Sequence, residues 1–161
     1  MKTEDSFFIV DFQSSDNMTF PVETLLMNKA IKIAYVNASQ TYNYPVGVTL
    51  RLVNSEEGLS INKQFKKINK PTNVLALTGD LEQDITLGIS PPFLGDIIVC
   101  LPIVEKEAKV LNIEVSSHFL HMVIHGILHL LGYDHNTDKE EIEMMQLENL
   151  VLTELGMENS A

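Results

Sequence analysis

The chain has 161 residues, of which 45% are hydrophobic and 20% are charged, and its formal net charge is −11. This length and composition are ordinary for one soluble globular domain with a sizeable core. The acidic balance argues against non-specific binding to nucleic acid, because the phosphates would be repelled.

The sequence also bears on the compartment. No apolar run approaches the roughly 18–20 residues of a membrane span, and the first residues lack the long apolar stretch of a secretory signal. The only cysteine, Cys100, excludes an internal disulfide and is interpreted as a small buried side chain. We therefore expect a cytoplasmic protein with no membrane partner.

The first half of the chain predicts two strands and two helices. Residues 7–12 are typical of a first strand, and residues 21–36 have apolar positions at helical spacing after an initial proline. Residues 46–53 alternate enough to predict a second strand. Ser55 is a suitable N-cap for a short helix that ends near Phe65.

A run of lysines follows within eight residues and contains no acid: Lys63, Lys66, Lys67 and Lys70. Taken alone, such a run is typical of a solvated face. Its position relative to a functional site decides whether it can bind phosphate.

Further along, residues 73–77 predict a short strand and residues 78–93 an irregular connection rich in turn formers. Residues 96–103 form a continuous apolar run typical of a buried strand, and residues 104–115 are predicted to be helical. With the two helices described next, these elements predict an α+β domain with a mixed sheet of about four strands and about five helices.

The next helix is apolar nearly all round, so it should be buried. Ser116 or Ser117 is its predicted N-cap, and its polar exceptions are His121, His125 and His129, four residues apart. Residues four apart share a helix face, about 6 Å apart along the axis, so that two imidazoles can close on one metal ion.

Gly132 lies between the second histidine and His135, and a left-handed glycine there would end the helix and return the chain. His135 would then be a third ligand, and three protein ligands leave a position for water, as in catalytic zinc sites. The alternative is a set of core histidines bonded to carbonyls, but a metal accounts better for so many buried imidazoles. His121 is too far along the helix for the same ion, so a structural and a substrate-facing or supporting role stay open for it. Asp134 could orient a ligand imidazole, although a role in the turn is favoured.

The spacing also matches the metalloprotease pattern H-E-x-x-H-x-x-G-x-x-H, except that Gly126 replaces the glutamate that acts as general base. A peptidase, or another zinc hydrolase of esters or amides, is therefore disfavoured. A last amphipathic helix, acidic on its outer face, is predicted to begin at Asp138.

Residues 125–135, HGILHLLGYDH, resemble the H-G-x-L-H-L-x-G-Y-D-H signature of the YbeY family, bacterial metal-dependent endoribonucleases that mature ribosomal RNA. Weaker similarity includes residues 70–75, residues 95–98 and Glu148, and matching segments span about residues 46–152. The resemblance implies that the chain is one metal-dependent endoribonuclease domain. It also implies a role in ribosome quality control.

The resemblance further implies that His125, His129 and His135 bind one Zn²⁺, with Ni²⁺ or another divalent ion as alternatives. It implies single-stranded RNA of a ribosomal RNA precursor as substrate, and the ribosome or small-subunit assembly factors as partners. Whether a metal hydroxide attacks phosphorus or serves as base for the 2′-hydroxyl stays open. A second alternative also stays open, in which the protein is a ribosome-assembly factor and its metal is structural.

Where the family has an arginine after an aromatic residue, this chain has Lys66 after Phe65. The family's arginine is associated with the RNA phosphate, and lysine keeps its charge without the bidentate fork. We expect Lys66 and His121 to be the catalytic residues beside the metal.

Overall fold

The computed structural model describes residues 8–40, 42–70 and 72–157. Within these ranges four strands form one sheet: β1 (Phe8–Ser14), β2 (Val46–Val53), β3 (Val74–Thr78) and β4 (Phe93–Cys100). The same ranges contain six α-helices: α1 (Thr24–Asn37), α2 (Ser55–Lys66), α3 (Leu81–Thr86), α4 (Leu101–Leu111), α5 (Val115–Leu130) and α6 (Asp138–Glu154).

The strands lie in the order β1-β2-β4-β3. The first three are mutually parallel, whereas β3 runs antiparallel to β4, with Leu77 opposite Asp96. The predicted α+β fold with a four-stranded mixed sheet is therefore confirmed. The strand order places β3 at the edge of the sheet, where it contacts α5.

The helix α5 is the buried centre of the molecule. It contacts α1, α4 and α6 as well as β3 and β4, and most of its residues are buried, as its apolar sequence predicts. Gly126 allows the close approach to the sheet, since a Cβ there would lie 2.6 Å from Cγ2 of Ile97 on β4.

The elements differ from the sequence-based expectation at several places, and the predicted helix 104–115 is α4 at Leu101–Leu111. The predicted connection 78–93 contains α3, whose Asp80 side chain caps it by accepting from the backbone N–H of Gln83 at 3.0 Å. The predicted strand 96–103 ends at Cys100, because Pro102 lies in the first turn of α4, where proline starts a helix and lacks a strand donor. Helix α1 begins at Thr24, three residues after the predicted proline.

The predicted N-caps were also shifted. Asn54, not Ser55, caps α2 by accepting from the backbone N–H of Glu57 at 2.8 Å. Glu114, not a serine, precedes the first residue of α5. Residue 7 of the predicted first strand lies outside the described residues. None of the helices described here has the length and apolar character to cross a membrane.

Candidate metal centre

Two of the histidines project from one face of α5. The Nε2 atoms of His125 and His129 are 3.0 Å apart, and their ring centroids are 4.5 Å apart. Spacing by four residues on a helix produces this proximity. The sequence-based expectation of two imidazoles on one face therefore matches the geometry.

The turn after α5 returns the third histidine to the same place. Gly132 has φ +100°, which L side chains rarely adopt. The N–H of Tyr133 donates to the carbonyl of Leu128, and that of Gly132 to the carbonyl of His129, both at 3.0 Å. This is the Schellman arrangement, in which a glycine ends a helix and reverses the chain.

After that reversal, His135 stacks on His125 at 5.7 Å between ring centroids and lies 5.1 Å from His129. Asp134 supports the turn by accepting from the N–H of His135 at 2.8 Å. That hydrogen bond is the largest cause of the lowered pKa of Asp134. This contact agrees with the turn role favoured for Asp134.

One ring nitrogen from each of the three histidines lies within 4.8 Å of the other two. An ion bound at about 2.0–2.1 Å from each nitrogen would separate them by roughly 3.3 Å in a tetrahedral arrangement. The rings are thus close to the spacing that a shared ion requires. The cluster is partly exposed, with His135 on the surface, so that a ligand or solvent can approach it.

The outer nitrogens fix which ring nitrogen faces the centre. Nδ1 of His125 donates to Oε2 of Glu148 at 2.5 Å, and Nδ1 of His129 donates to the carbonyl of Tyr133 at 3.0 Å. Both acceptors lack a proton to give, so both Nδ1 atoms carry the hydrogen, and in the neutral rings that bind metal both Nε2 atoms present lone pairs. Two lone pairs facing each other at 3.0 Å repel, and a cation between them would remove the repulsion.

Electrostatics favour the neutral ligand form of His129. Burial lowers its pKa first, and the neighbouring His125 and His135 lower it further. A neutral imidazole is the form that binds metal. The donor set therefore fits a divalent ion that accepts nitrogen ligands.

Glu148 on α6 is the carboxylate behind this cluster, and only 4% of it is exposed. Its Oε1 accepts from Nε2 of His121 at 3.0 Å, while its Oε2 accepts from His125. Burial alone would raise its pKa, but the hydrogen bonds from the two histidines outweigh this and lower it to about 2. Glu148 is therefore an ionised acceptor that orients His125.

The role of Glu148 was not assigned from the sequence, where it was only a downstream match to the family. The sequence signal is its spacing, since Glu148 lies at helical intervals from Met144, Val151 and Leu152, the other residues of α6 that the structure buries. An acid within a buried helical stripe needs a partner, and histidines are available on the neighbouring helix.

His121 is placed behind the cluster and away from the main cleft. It is 5% exposed, it bonds to Glu148, and it lines a smaller cavity with Asn73, Val74 and His125. Because Glu148 lies between His121 and the ring of His125, the contact favours a supporting role over direct contact with substrate.

Lys66 is placed on the same cleft as the three histidines. This cleft has a volume of about 600 Å³, and its walls come from the end of α2, β3 and the turn after α5, including Lys66, Asn73, Ala76, His125, His129 and His135. Lys63, Lys67 and Lys70 are exposed but are not part of its lining among the described residues. The structure thus brings one member of the lysine run to the metal cluster.

The same cleft explains why no glutamate follows His125. Gly126 packs against Ile97, and even a methyl group there would be 2.6 Å from its Cγ2 atom. A glutamate at this position would displace α5 from β4. The packing supports the sequence argument against a metalloprotease.

The chain is similar to known proteins over most of its length. The family profile described as endoribonuclease YbeY matches residues 11–156. An endoribonuclease YbeY of Colwellia psychrerythraea is 39% identical over 129 residues, which are 80% of this chain and 81% of that protein. One of Francisella tularensis is 37% identical over 150 residues, 93% of this chain and 90% of the relative.

A solved structure is also similar. The solution structure of TM1509 from Thermotoga maritima has a TM-score of 0.61 and 30% identity, and the match covers 91% of this chain and 89% of that one. The similarity extends over nearly the whole fold, and therefore beyond the histidine segment.

Proposed function

The chain belongs to the YbeY family of endoribonucleases, and on that premise we propose that it cuts single-stranded RNA with one divalent ion held by His125, His129 and His135. The observation that carries the proposal is the convergence of the three ring nitrogens in a cleft that also contains Lys66. Zn²⁺ is the proposed ion, because three imidazoles and an open position suit it, although Ni²⁺ suits them as well.

The chemistry divides between the ion and the side chains. When bound, such an ion supplies a water of lowered pKa and polarises a phosphoryl oxygen. Lys66 places a positive charge in the same cleft and offsets charge on the phosphate. Glu148 and the carbonyl of Tyr133 hold His125 and His129 in the orientation that leaves Nε2 free. His121 acts through Glu148 as a positioning residue.

The proposed substrate is a precursor of ribosomal RNA, and the proposed setting is the cytoplasm. Residues 1–161 would act as a single domain in ribosomal RNA maturation and ribosome quality control, with the ribosome or small-subunit assembly factors as partners. Family membership supports this proposal, since relatives over most of the chain are endoribonucleases.

The test compares two neighbouring residues of the turn. His135→Ala should remove bound metal and cleavage of labelled single-stranded RNA, with at least a hundredfold loss of kcat/KM, because one of three ligands is gone. Asn136→Ala, also exposed and bonded only to the side chain of Asp134 at 2.9 Å among the described contacts, should keep both. Metal content, thermal unfolding and cleavage are measured on each purified protein.

A second pair tests the lysine. Lys66→Ala should lower kcat/KM about tenfold or more, whereas Lys63→Ala, an exposed lysine of α2 that does not line the cleft, should change it little. A wild-type protein that binds metal but cuts no RNA would contradict the proposal and favour an assembly factor with a structural metal.

A further inference from the structure

A second cavity, of about 550 Å³, lies along α4. We define the α4 groove as the part of this cavity lined by Asn73, Ile103, Glu107, Val110, Leu111 and His118. The residues from α4 are spaced so that they share one helix face. This face is turned away from the core, because Val110 is 80% exposed.

One wall of the groove is apolar. Val110 and Leu111 are among the exposed large hydrophobic residues, and Ile103 continues the same wall. Every base of single-stranded RNA offers an apolar face, which can pack against this aliphatic wall while the edge of the base bonds to a polar group. The volume is sufficient for one such ring.

The opposite end of the groove is polar and held in place. Oε1 of Glu107 accepts from Nε2 of His118 at 2.8 Å and from Nδ2 of Asn73 at 3.1 Å. Oε2 of Glu107 receives only a 3.4 Å contact from Asn73 among the described residues. Because the Glu107 side chain is 38% exposed, this oxygen can accept from a ligand.

His118 adds a second sign of incomplete pairing. The residue is 4% exposed, and its Nδ1 is the buried side-chain polar atom without a hydrogen-bond partner in the described part of the chain. Buried polar atoms are normally paired, so an unpaired one needs an explanation such as a water or ion bound beside it. The ring itself lines the groove.

The groove adjoins the metal cleft at Asn73. This residue lines the cleft, the groove and the smaller cavity that contains His125. Asn73 is rigid, because its Oδ1 accepts from the N–H of Val74 at 2.7 Å and its carbonyl from the N–H of Cys100 at 2.9 Å. Lys106 also lines the cavity and supplies a positive charge for a backbone phosphate.

We propose that the α4 groove binds one base of the single-stranded RNA, on a nucleotide adjoining the one in the metal cleft. The base packs against Val110 and Leu111, and an N–H of its amino group donates a hydrogen bond to the carboxylate of Glu107. Adenine, cytosine and guanine carry such an amino group, whereas uracil has a carbonyl oxygen where cytosine has its amino group, and that oxygen would face the carboxylate, so that the groove prefers cytosine to uracil. This inference rests on the proposed endoribonuclease function and adds a base subsite to it.

The central experiment compares two equally exposed apolar residues. Val110→Ser removes part of the groove wall, whereas Leu25→Ser changes a residue at the start of α1 that is 79% exposed and lines none of these cavities. Neither change alters charge. On a labelled single-stranded RNA, Val110→Ser should raise KM about three- to tenfold with little change in kcat, and Leu25→Ser should leave both unchanged.

A substrate series locates the base. In a set of RNAs of one sequence, the base is removed at one position at a time. At one position near the cut, loss of the base should raise the KM of the wild type. It should not raise the KM of Val110→Ser, which already lacks part of the groove wall. At that position, uracil in place of cytosine should weaken binding several-fold, and Glu107→Gln should reduce that difference. Thermal unfolding of each variant confirms that it is folded.

Two failures are distinguishable. If the wild type cuts RNA and Val110→Ser behaves like Leu25→Ser, the subsite is overturned while the nuclease stands, and the groove is left to a protein partner. If the wild type neither binds nor cuts RNA, both proposals fall together.

Discussion

Helix α5 pairs its histidines with carboxylates on two sides, and the two pairings differ. Towards α6, Glu148 bonds to both His121 and His125, with only 6% of its side chain exposed. Towards α4, Glu107 bonds to His118 and Asn73, with 38% of its side chain exposed. Each oxygen of the buried carboxylate accepts from one histidine and orients that ring, whereas Oε2 of the exposed carboxylate receives only a 3.4 Å contact and is open to a ligand.

The comparison teaches that a histidine–carboxylate contact has no single meaning. On the α6 side, the ring that is held also belongs to the metal cluster. On the α4 side, the held ring only fixes the wall of a groove. Burial and the remaining hydrogen-bonding capacity of the carboxylate separate the two cases.

The largest expected effect is the loss of the buried carboxylate. Glu148→Ala leaves two imidazoles of α5 without their acceptor. The free energy of unfolding, measured in urea, should therefore fall by about 3 kcal/mol from the wild-type value. Metal affinity, measured by competition with a chelator, should fall about ten- to a hundredfold. Glu107→Ala should lower the free energy of unfolding by only about 1 kcal/mol and leave metal affinity unchanged. Equal losses from the two variants would remove the distinction between the sides.

This contrast also marks what sequence could predict. The three histidines and Gly132 lie within eleven residues, so helix periodicity and the conformational freedom of glycine suffice to place them together. Glu148 and Glu107 reach α5 from other helices, and their contacts depend on tertiary packing that spacing does not encode. The pairing of His118 with Glu107 was not expected at all.

The fold shows the same division. The order and types of the long elements were predictable from apolar periodicity, and the mixed four-stranded sheet followed. Helix α3 was missed because its six residues lie among turn formers, and its cap at Asp80 is a local side-chain contact. The boundary between β4 and α4 was misplaced because the apolar run continues across it, so Pro102 was the only local sign of the change.

A smaller effect is expected from the glycines that end α5 and α6. It separates the stability of a helix end from the positioning of a histidine that binds metal. Gly132 and Gly156 end α5 and α6 with positive φ of +100° and +70°, and a Cβ at either would meet nothing within 4 Å. Gly132→Ala and Gly156→Ala should therefore each cost about 1 kcal/mol of unfolding free energy through backbone strain alone. Metal affinity should fall only in Gly132→Ala, because only that turn carries His135 to the cluster.

Thermal unfolding and chelator competition on the two glycine variants give the result directly. A loss of metal affinity in Gly156→Ala, or its full retention in Gly132→Ala, would show that the turn geometry does not position the third histidine.

The smallest expected effect provides a baseline from a carboxylate that touches neither side of α5. Glu57 forms a two-contact pair with Arg51, at 2.5 Å to Nε and 2.9 Å to Nη2, and each side chain is 28% exposed. The hydrogen bond from Arg51 is the main reason that the pKa of Glu57 lies below its usual value of 4.5. A lowered pKa in the folded state contributes stability above pH 4.5 that is lost as pH falls through the folded value.

Glu57→Gln should therefore reduce unfolding free energy at pH 7 by about 0.5 kcal/mol, because solvent screens a partly exposed pair. The difference from the wild type should shrink as the pH is lowered below 4.5, and metal affinity should not change. Urea unfolding of both proteins at several pH values measures this difference in unfolding free energy. A loss at pH 7 as large as that of Glu148→Ala would mean that burial is not what makes the α6 side costly to disrupt. The loss of stability in Glu148→Ala would then have to be explained by its histidine partners instead.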